Sequence, residues 1–127
     1  MSLTISTTDG PSPTLALSGR LDTHTAPDLD QALNRLFTPG RNILRLVFDL
    51  SRLEYLSSAG IRCFVRARKA VEPTGGKVAL VNPQPGVRKV LDIVRAVPPS
   101  RIFASTAELD AYLDDMQRQV GEHGHAD

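Results

Sequence analysis

Residues 46–61 read Leu-Val-Phe-Asp-Leu-Ser-Arg-Leu-Glu-Tyr-Leu-Ser-Ser-Ala-Gly-Ile, and no other stretch constrains the chain as much. An apolar run ends at Asp49, a short polar loop follows, and Ser57 and Ser58 open a helical pattern. The preceding residues 43–48 are nearly all apolar, as in a central strand covered on both faces. The Ser58 hydroxyl therefore falls where a strand hands over to a helix N-terminus. Such a terminus offers unpaired N–H groups and a partial positive charge of roughly half a unit. A phosphate group is well accommodated there.

The rest of the chain alternates strand and helix signals. Leu3 to Thr7 and Thr14 to Ser18 alternate apolar and polar residues, as half-buried strands do, with a turn at Asp9-Gly10-Pro11 between them. They are expected to pair as a hairpin-like unit. Thr25 is placed to cap a first helix, with Pro27 in its first turn and Asp28 three residues after the cap. Leu29, Ala32, Leu33, Leu36 and Phe37 form its apolar stripe, and Pro39-Gly40 ends it. The helix after Ser58 carries Ile61, Phe64, Val65 and Val71, runs to about Val71, and stops at Pro73-Thr-Gly-Gly76. Residues 77–81 form another buried strand, and Val87, Val90, Leu91 and Val94 recur at helical spacing. Pro98-Pro99 breaks that helix, and Ile102-Phe103 reads as a short edge strand. Ser105-Thr-Ala-Glu108 is a capping box for a last helix burying Leu109, Tyr112, Leu113 and Met116. Strands separated by short helices imply an α/β layer fold with a mixed sheet. We expect four to five strands flanked by about four helices, in one domain over residues 1–120 with a frayed tail at 121–127.

Composition narrows the function classes. Net charge is +1, Trp is absent and aromatics are 5% of the 127 residues. Neither the basic surface nor the stacking platforms of a nucleic-acid binder are present. The lone Cys63 excludes an internal disulfide and a Cys-rich zinc site. No apolar run approaches the roughly 18 residues of a membrane span, and the start lacks a signal-peptide pattern, which suggests a cytoplasmic protein without a membrane partner. Thr74-Gly-Gly-Lys77 is too short for a P-loop and precedes a strand, and no Gly-x-Ser-x-Gly elbow exists. No catalytic set, cofactor site or metal site emerges. His123 and His125 lie in the tail without other ligands, and Arg95 and Asp92 read as ordinary helix surface.

Ser18-Gly-Arg-Leu-Asp22, Phe48-Asp-Leu-Ser51 and Tyr55-Leu-Ser-Ser-Ala-Gly-Ile61, taken in order, resemble the STAS domain. The similarity runs from about Leu3 to Leu113, and the stand-alone bacterial anti-sigma factor antagonist is its nearest type. The resemblance implies a small mixed sheet flanked by helices. It also implies a switch that binds an anti-sigma factor serine kinase, a histidine-kinase-like ATPase, and so releases a sigma factor to regulate transcription. ATP and Mg²⁺ belong to that kinase, and a metal-dependent serine phosphatase reverses the modification. An alternative implied by the same family is an accessory subunit that stabilises the ATPase of a membrane lipid transporter without phosphorylation.

Carried over by position, Ser58 falls on the phosphoacceptor, Ser57 where many antagonists have Asp, and Ala59 where many have Ser or Thr. Gly60 matches the motif glycine. Asp22 matches an acidic residue placed near the phosphorylation site, and Asp49 is expected to end the central strand beside it. Thr23 and His24 follow Asp22 into the same expected partner-binding surface, His24 as a loop residue and not as a base. A serine before a helix is commonly a simple N-cap; Ser57 in that role leaves Ser58 free to react. Arg62, Arg66 and Lys69 form a row along the same helix. That row reads as a solvated face, as a docking stripe for an acidic partner surface beside Ser58 with Arg62 and Arg66 in the partner-binding surface, or as charges that stabilise the phosphate.

Overall fold

A computed structural model of the protein describes residues 2–8, 10, 12–39, 42–94, 102–103 and 111. The element order is β1 (Leu3–Thr8), β2 (Thr14–Leu21), α1 (Ala26–Leu36), β3 (Arg45–Leu56), α2 (Ser58–Val71), β4 (Lys77–Val81), α3 (Pro85–Val94) and β5 (Ile102–Phe103). The five strands form one mixed sheet in sequential order, β1-β2-β3-β4-β5. β1 runs antiparallel to β2, and every later neighbour is parallel. The architecture is the mixed α/β sheet anticipated, and the pairing of β1 with β2 is the expected hairpin-like unit. The expected turn at 9–11, the stop at 39–40, Arg95, the break at 98–99, the capping box at 105–108, the last helix, and the tail with His123 and His125 lie wholly or partly outside the described residues.

Each parallel neighbour is reached through a helix. A sheet built by successive right-handed crossovers in one direction carries its helices on one face. The core agrees with this: Leu15, Leu17 and Leu21 of β2 and Leu46, Phe48, Leu50, Leu53 and Leu56 of β3 form one cluster with Leu29 and Leu33 of α1, Ile61 and Phe64 of α2, and Val87 and Leu91 of α3. Phe48 and Phe64 meet edge to face, their ring centroids 4.8 Å apart, a favourable aromatic geometry. Of the helical stripes read from the sequence, Leu29, Ala32, Leu33 and Leu36 of α1, Ile61, Phe64 and Val71 of α2, and Val87 and Leu91 of α3 are buried, Phe37, Val65 and Val90 are half-buried, and Cys63 joins the buried face of α2. After α2, a 3₁₀ turn at Glu72–Thr74 leads to Gly75, which takes φ 84° as the chain reverses.

β3 is longer than its apolar run implies. Asp49 does not end it: the strand continues to Leu56, paired with β2, and the short polar loop expected between Asp49 and Ser57 is absent. The register explains why the sequence misleads. Ala16 and Ser18 pair with Asp49 and Arg52, and Gly19 and Arg20 pair with Leu53 and Tyr55, so β3 gains an extra residue twice. Two such bulges convert strict alternation into a period of three. Leu50, Leu53 and Leu56 all face the core while Ser51, Arg52, Glu54 and Tyr55 are exposed.

Candidate functional site

The ends of β2 and β3 and the start of α2 meet at one corner. Leu21 pairs with Leu56. One residue later the Ser57 N–H donates to the Leu21 carbonyl at 2.9 Å, and α2 begins with the Ile61 N–H donating to the Ser57 carbonyl at 3.0 Å. Gly60 allows this close entry: a Cβ there would lie 2.5 Å from Leu21 Cγ and 2.7 Å from Leu56 Cδ1. Only a residue without a side chain lets the first turn of α2 rest on those two leucines.

The two serines differ in accessibility. Ser57 takes the N-cap position with extended backbone, but its hydroxyl makes no cap bond. Its Oγ is buried and has no hydrogen-bond partner among the described residues. Ser58, the first helical residue, is exposed, and Ala59 is half-buried. The first turn of α2 contains no acidic residue, so nothing there offsets the positive end of the helix dipole. An exposed hydroxyl is thus held on a rigid backbone beside unpaired N–H groups, the geometry suited to receiving a phosphoryl group.

Asp22 follows Leu21 and brings its loop to the same corner. Its carboxylate accepts from the His24 N–H at 2.9 Å and the Thr25 N–H at 3.1 Å, and lies 3.7 Å from Arg20 Nε. Partial desolvation pushes the Asp22 carboxyl up, but the hydrogen bonds from Thr25 and His24 together outweigh it and hold its pKa below the ordinary value. Thr25 is buried; its hydroxyl donates to the Arg20 carbonyl at 2.8 Å and accepts from the Asp22 N–H at 2.9 Å. Thr25 therefore does not cap α1 through its side chain; it closes the Asp22 loop instead. Thr23 and His24 are exposed on that loop.

Asp49 is not beside this corner. It sits seven residues before Leu56, roughly 20 Å away along an extended strand, and pairs with Ala16 and Val81. Its carboxylate accepts from the Ser51 N–H at 3.0 Å and from Asn82 Nδ2 at 3.4 Å. With Thr4, Ser6, Ser18 and Arg52 it lines a groove on the sheet face opposite the core. The basic row on α2 also divides. Arg62 and Lys69 are exposed and form no ion pair among the described residues, whereas Arg66 Nη2 donates to both carboxylate oxygens of Asp30 on α1, at 3.0 and 2.7 Å. Arg66 thus ties α2 to α1. It also lies 3.4 Å from the fully buried Cys63 thiol, whose pKa burial pushes up to about 11.

Two residues that lie within the sequence motifs, but that sequence reasoning gave no role, meet at the corner. The Arg20 guanidinium stacks 4.1 Å from the centroid of the Tyr55 ring, a cation–π contact, and Tyr55 is an exposed aromatic. Their contact follows from the pairing of position 20 with 55, immediately before Leu21 and Leu56, and that register depends on both bulges. Among the described residues no three His, Cys, Asp or Glu side chains are grouped to hold a metal ion, and no helix is long and apolar enough to cross a membrane.

A family model described as the STAS domain matches residues 3–109. BtrV of Bordetella bronchiseptica, named as a candidate anti-sigma factor antagonist, is 34% identical over 77 residues, spanning 61% of this chain and 65% of that protein. An anti-sigma F factor antagonist of Paenibacillus polymyxa is 30% identical over 81 residues, with the same two shares, 61% and 65%. The matched region is thus just under two thirds of each relative's length. The solved structure of the anti-sigma factor antagonist SpoIIAA in its unphosphorylated form aligns with a TM-score of 0.73 at 20% identity, covering 89% of this chain and 96% of that one. The phosphorylated form of the Bacillus protein aligns at 0.66 and 19% identity, covering 87% and 98%. These two structures share the fold described above.

Proposed function

The chain belongs to the STAS domain family, and from that premise we propose that it is an anti-sigma factor antagonist whose binding is switched by phosphorylation of Ser58. One observation carries the reading: the exposed Ser58 hydroxyl opens α2 at a corner fixed by the Ser57 N–H to Leu21 carbonyl bond. The names of the two relatives support the antagonist over the transporter-subunit alternative. That SpoIIAA was solved in a phosphorylated form supports a switch by phosphate. The buried Ser57 hydroxyl favours Ser58 as the acceptor.

In this reading the unphosphorylated protein binds a cytoplasmic anti-sigma factor that is also a serine kinase. The partner surface covers Ser58, Ala59, Arg62 and the loop at Asp22, Thr23 and His24; Gly60, expected in that surface, is buried against Leu21 and Leu56 and supports it from beneath. The kinase transfers the γ-phosphoryl group of its ATP to Ser58 Oγ, and the hydroxyl proton leaves with a base of the kinase. The new group brings about −1.5 to −2 charges. The helix N-terminus accommodates that charge, so the fold is retained, while a partner face complementary to a neutral hydroxyl rejects it. Asp22 adds like charge nearby. Loss of one docked contact of this kind weakens affinity roughly a hundredfold. A serine phosphatase restores the hydroxyl.

The test is phosphorylation by the cognate kinase with ATP. The wild-type chain is expected to gain one phosphate, at Ser58. Ser58→Ala gains none and still binds; Ser58→Asp binds roughly a hundredfold more weakly. Phosphate mapped to Ser57, or undiminished incorporation in Ser58→Ala, overturns the assignment.

A further inference from the structure

We propose that the free edge of β1 is a self-pairing surface, through which two copies of this chain join into a continuous ten-stranded sheet. β1 ends the sheet, and among the described residues its outer edge pairs with nothing. Thr4, Ser6, Thr7 and Thr8 are exposed, and Leu3 and Ile5 are half-buried. Exposed edges normally carry a charge, a proline or a bulge that discourages pairing. Leu3-Thr-Ile-Ser-Thr-Thr8 has neither charge nor proline, and its six residues pair with β2 without a register shift.

The hydrogen-bond phase identifies what the edge offers. The Arg20 N–H donates to the Ser2 carbonyl, and the register pairs Leu3 with Gly19 and Ile5 with Leu17. Antiparallel ladders alternate bonded and non-bonded pairs. Ser2, Thr4, Ser6 and Thr8 therefore bond toward β2, and the N–H and C=O groups of Leu3, Ile5 and Thr7 point to the open edge. A second β1 related by a twofold axis through Ile5 fits this phase: Leu3 meets Thr7 of the other copy, Ile5 meets Ile5, and Thr7 meets Leu3. Each pair exchanges two bonds, so all outward groups of these three residues are satisfied. Ile5 packs against its equivalent on the core side, Thr4 lies opposite Ser6 on the polar side, and no like charges meet. The same edge on both copies is self-complementary, as an isologous dimer requires. A six-residue strand pair is a small interface, so the dimer is weak.

Sedimentation equilibrium of the full chain from about 10 μM to about 1 mM, a range suited to small interfaces, tests this. The mass is expected to rise with concentration from 13.8 kDa toward twice that. Over the same range, exchange of the Leu3, Ile5 and Thr7 amides slows while that of neighbouring loops does not. Thr7→Pro removes an N–H that β2 does not use, and is expected to keep the fold and abolish the mass increase. A constant monomer mass to 1 mM overturns the proposal. So does a dimer that survives Thr7→Pro, or one that leaves the three amides unprotected; either result points to another surface. None of these readouts depends on Ser58 or a kinase.

Discussion

Gly60 and Asp22 illustrate how single residues shape the corner that presents Ser58. Gly60 is helical, so alanine there gains about 1 kcal/mol of helix propensity. The added methyl would nevertheless overlap Leu21 and Leu56, and overpacking of this kind costs about 1–3 kcal/mol. Gly60→Ala is therefore expected to lower stability by about 1 kcal/mol, read as a reduced urea midpoint with unchanged slope. A rise in midpoint would show that the leucines yield freely. Asp22 yields a pH prediction. Its pKa is lower in the folded protein than in the unfolded chain, by hydrogen bonds from Thr25 and His24. Its stabilising effect is thus present above the ordinary carboxyl value of 3.8 and is lost as pH falls through the folded value. Carboxyl-carbon NMR titration should place Asp22 below 3.8. In Thr25→Val, which removes the hydroxyl shared between the Arg20 carbonyl and, at 3.3 Å, Asp22 Oδ1, the value should move upward. Position 22 was legible as a motif residue. Thr25 holds the N-cap position the sequence implies, but its hydroxyl bonds the loop behind it; a threonine before Ala-Pro has the same local appearance whether its side chain closes that loop or caps the helix ahead.

Among the elements, β3 separates local pattern from tertiary pairing most clearly. Helices α1, α2 and α3 were legible because apolar residues at helical spacing name the face that packs. The second half of β3 was not, because its two bulges are defined by the register with β2 and leave a three-residue period resembling a loop. The distinction is measurable at Leu53. A loop leucine tolerates truncation, but Leu53 is fully buried in the core, so Leu53→Ala should cost about 2–5 kcal/mol. Arg52→Ala, on the exposed side, should remain within about 0.5 kcal/mol. Thermal denaturation of both variants decides it; equal, small effects would contradict the strand. The α1–α2 contact shows the same limit. Asp30 and Arg66 are 36 positions apart, and only packing brings them together.

At the scale of the whole molecule, partner recognition depends on which surface charges remain available. Arg62 is exposed, whereas Arg66 already bonds Asp30. Charge reversal at Arg62 should therefore slow association with an acidic partner surface in a strongly salt-dependent way while leaving stability unchanged. Arg66→Glu should also loosen the helix pair, by up to about 1 kcal/mol for an exposed ion pair. Stopped-flow association across ionic strength provides the measurement; an unchanged rate for Arg62→Glu would remove Arg62 from the docking surface. The sequence by itself determined the alternation of strands and helices, the apolar faces, and Ser58 at a helix entrance, because each follows from local period or terminus chemistry. The tertiary structure decided the full length of β3, the distance of Asp49 from the corner, the stacking of Arg20 on Tyr55 and the capture of Arg66 by Asp30. It also decided which backbone groups of β1 face the open edge. All of these depend on register or packing between segments distant in the chain, and no local pattern encodes them.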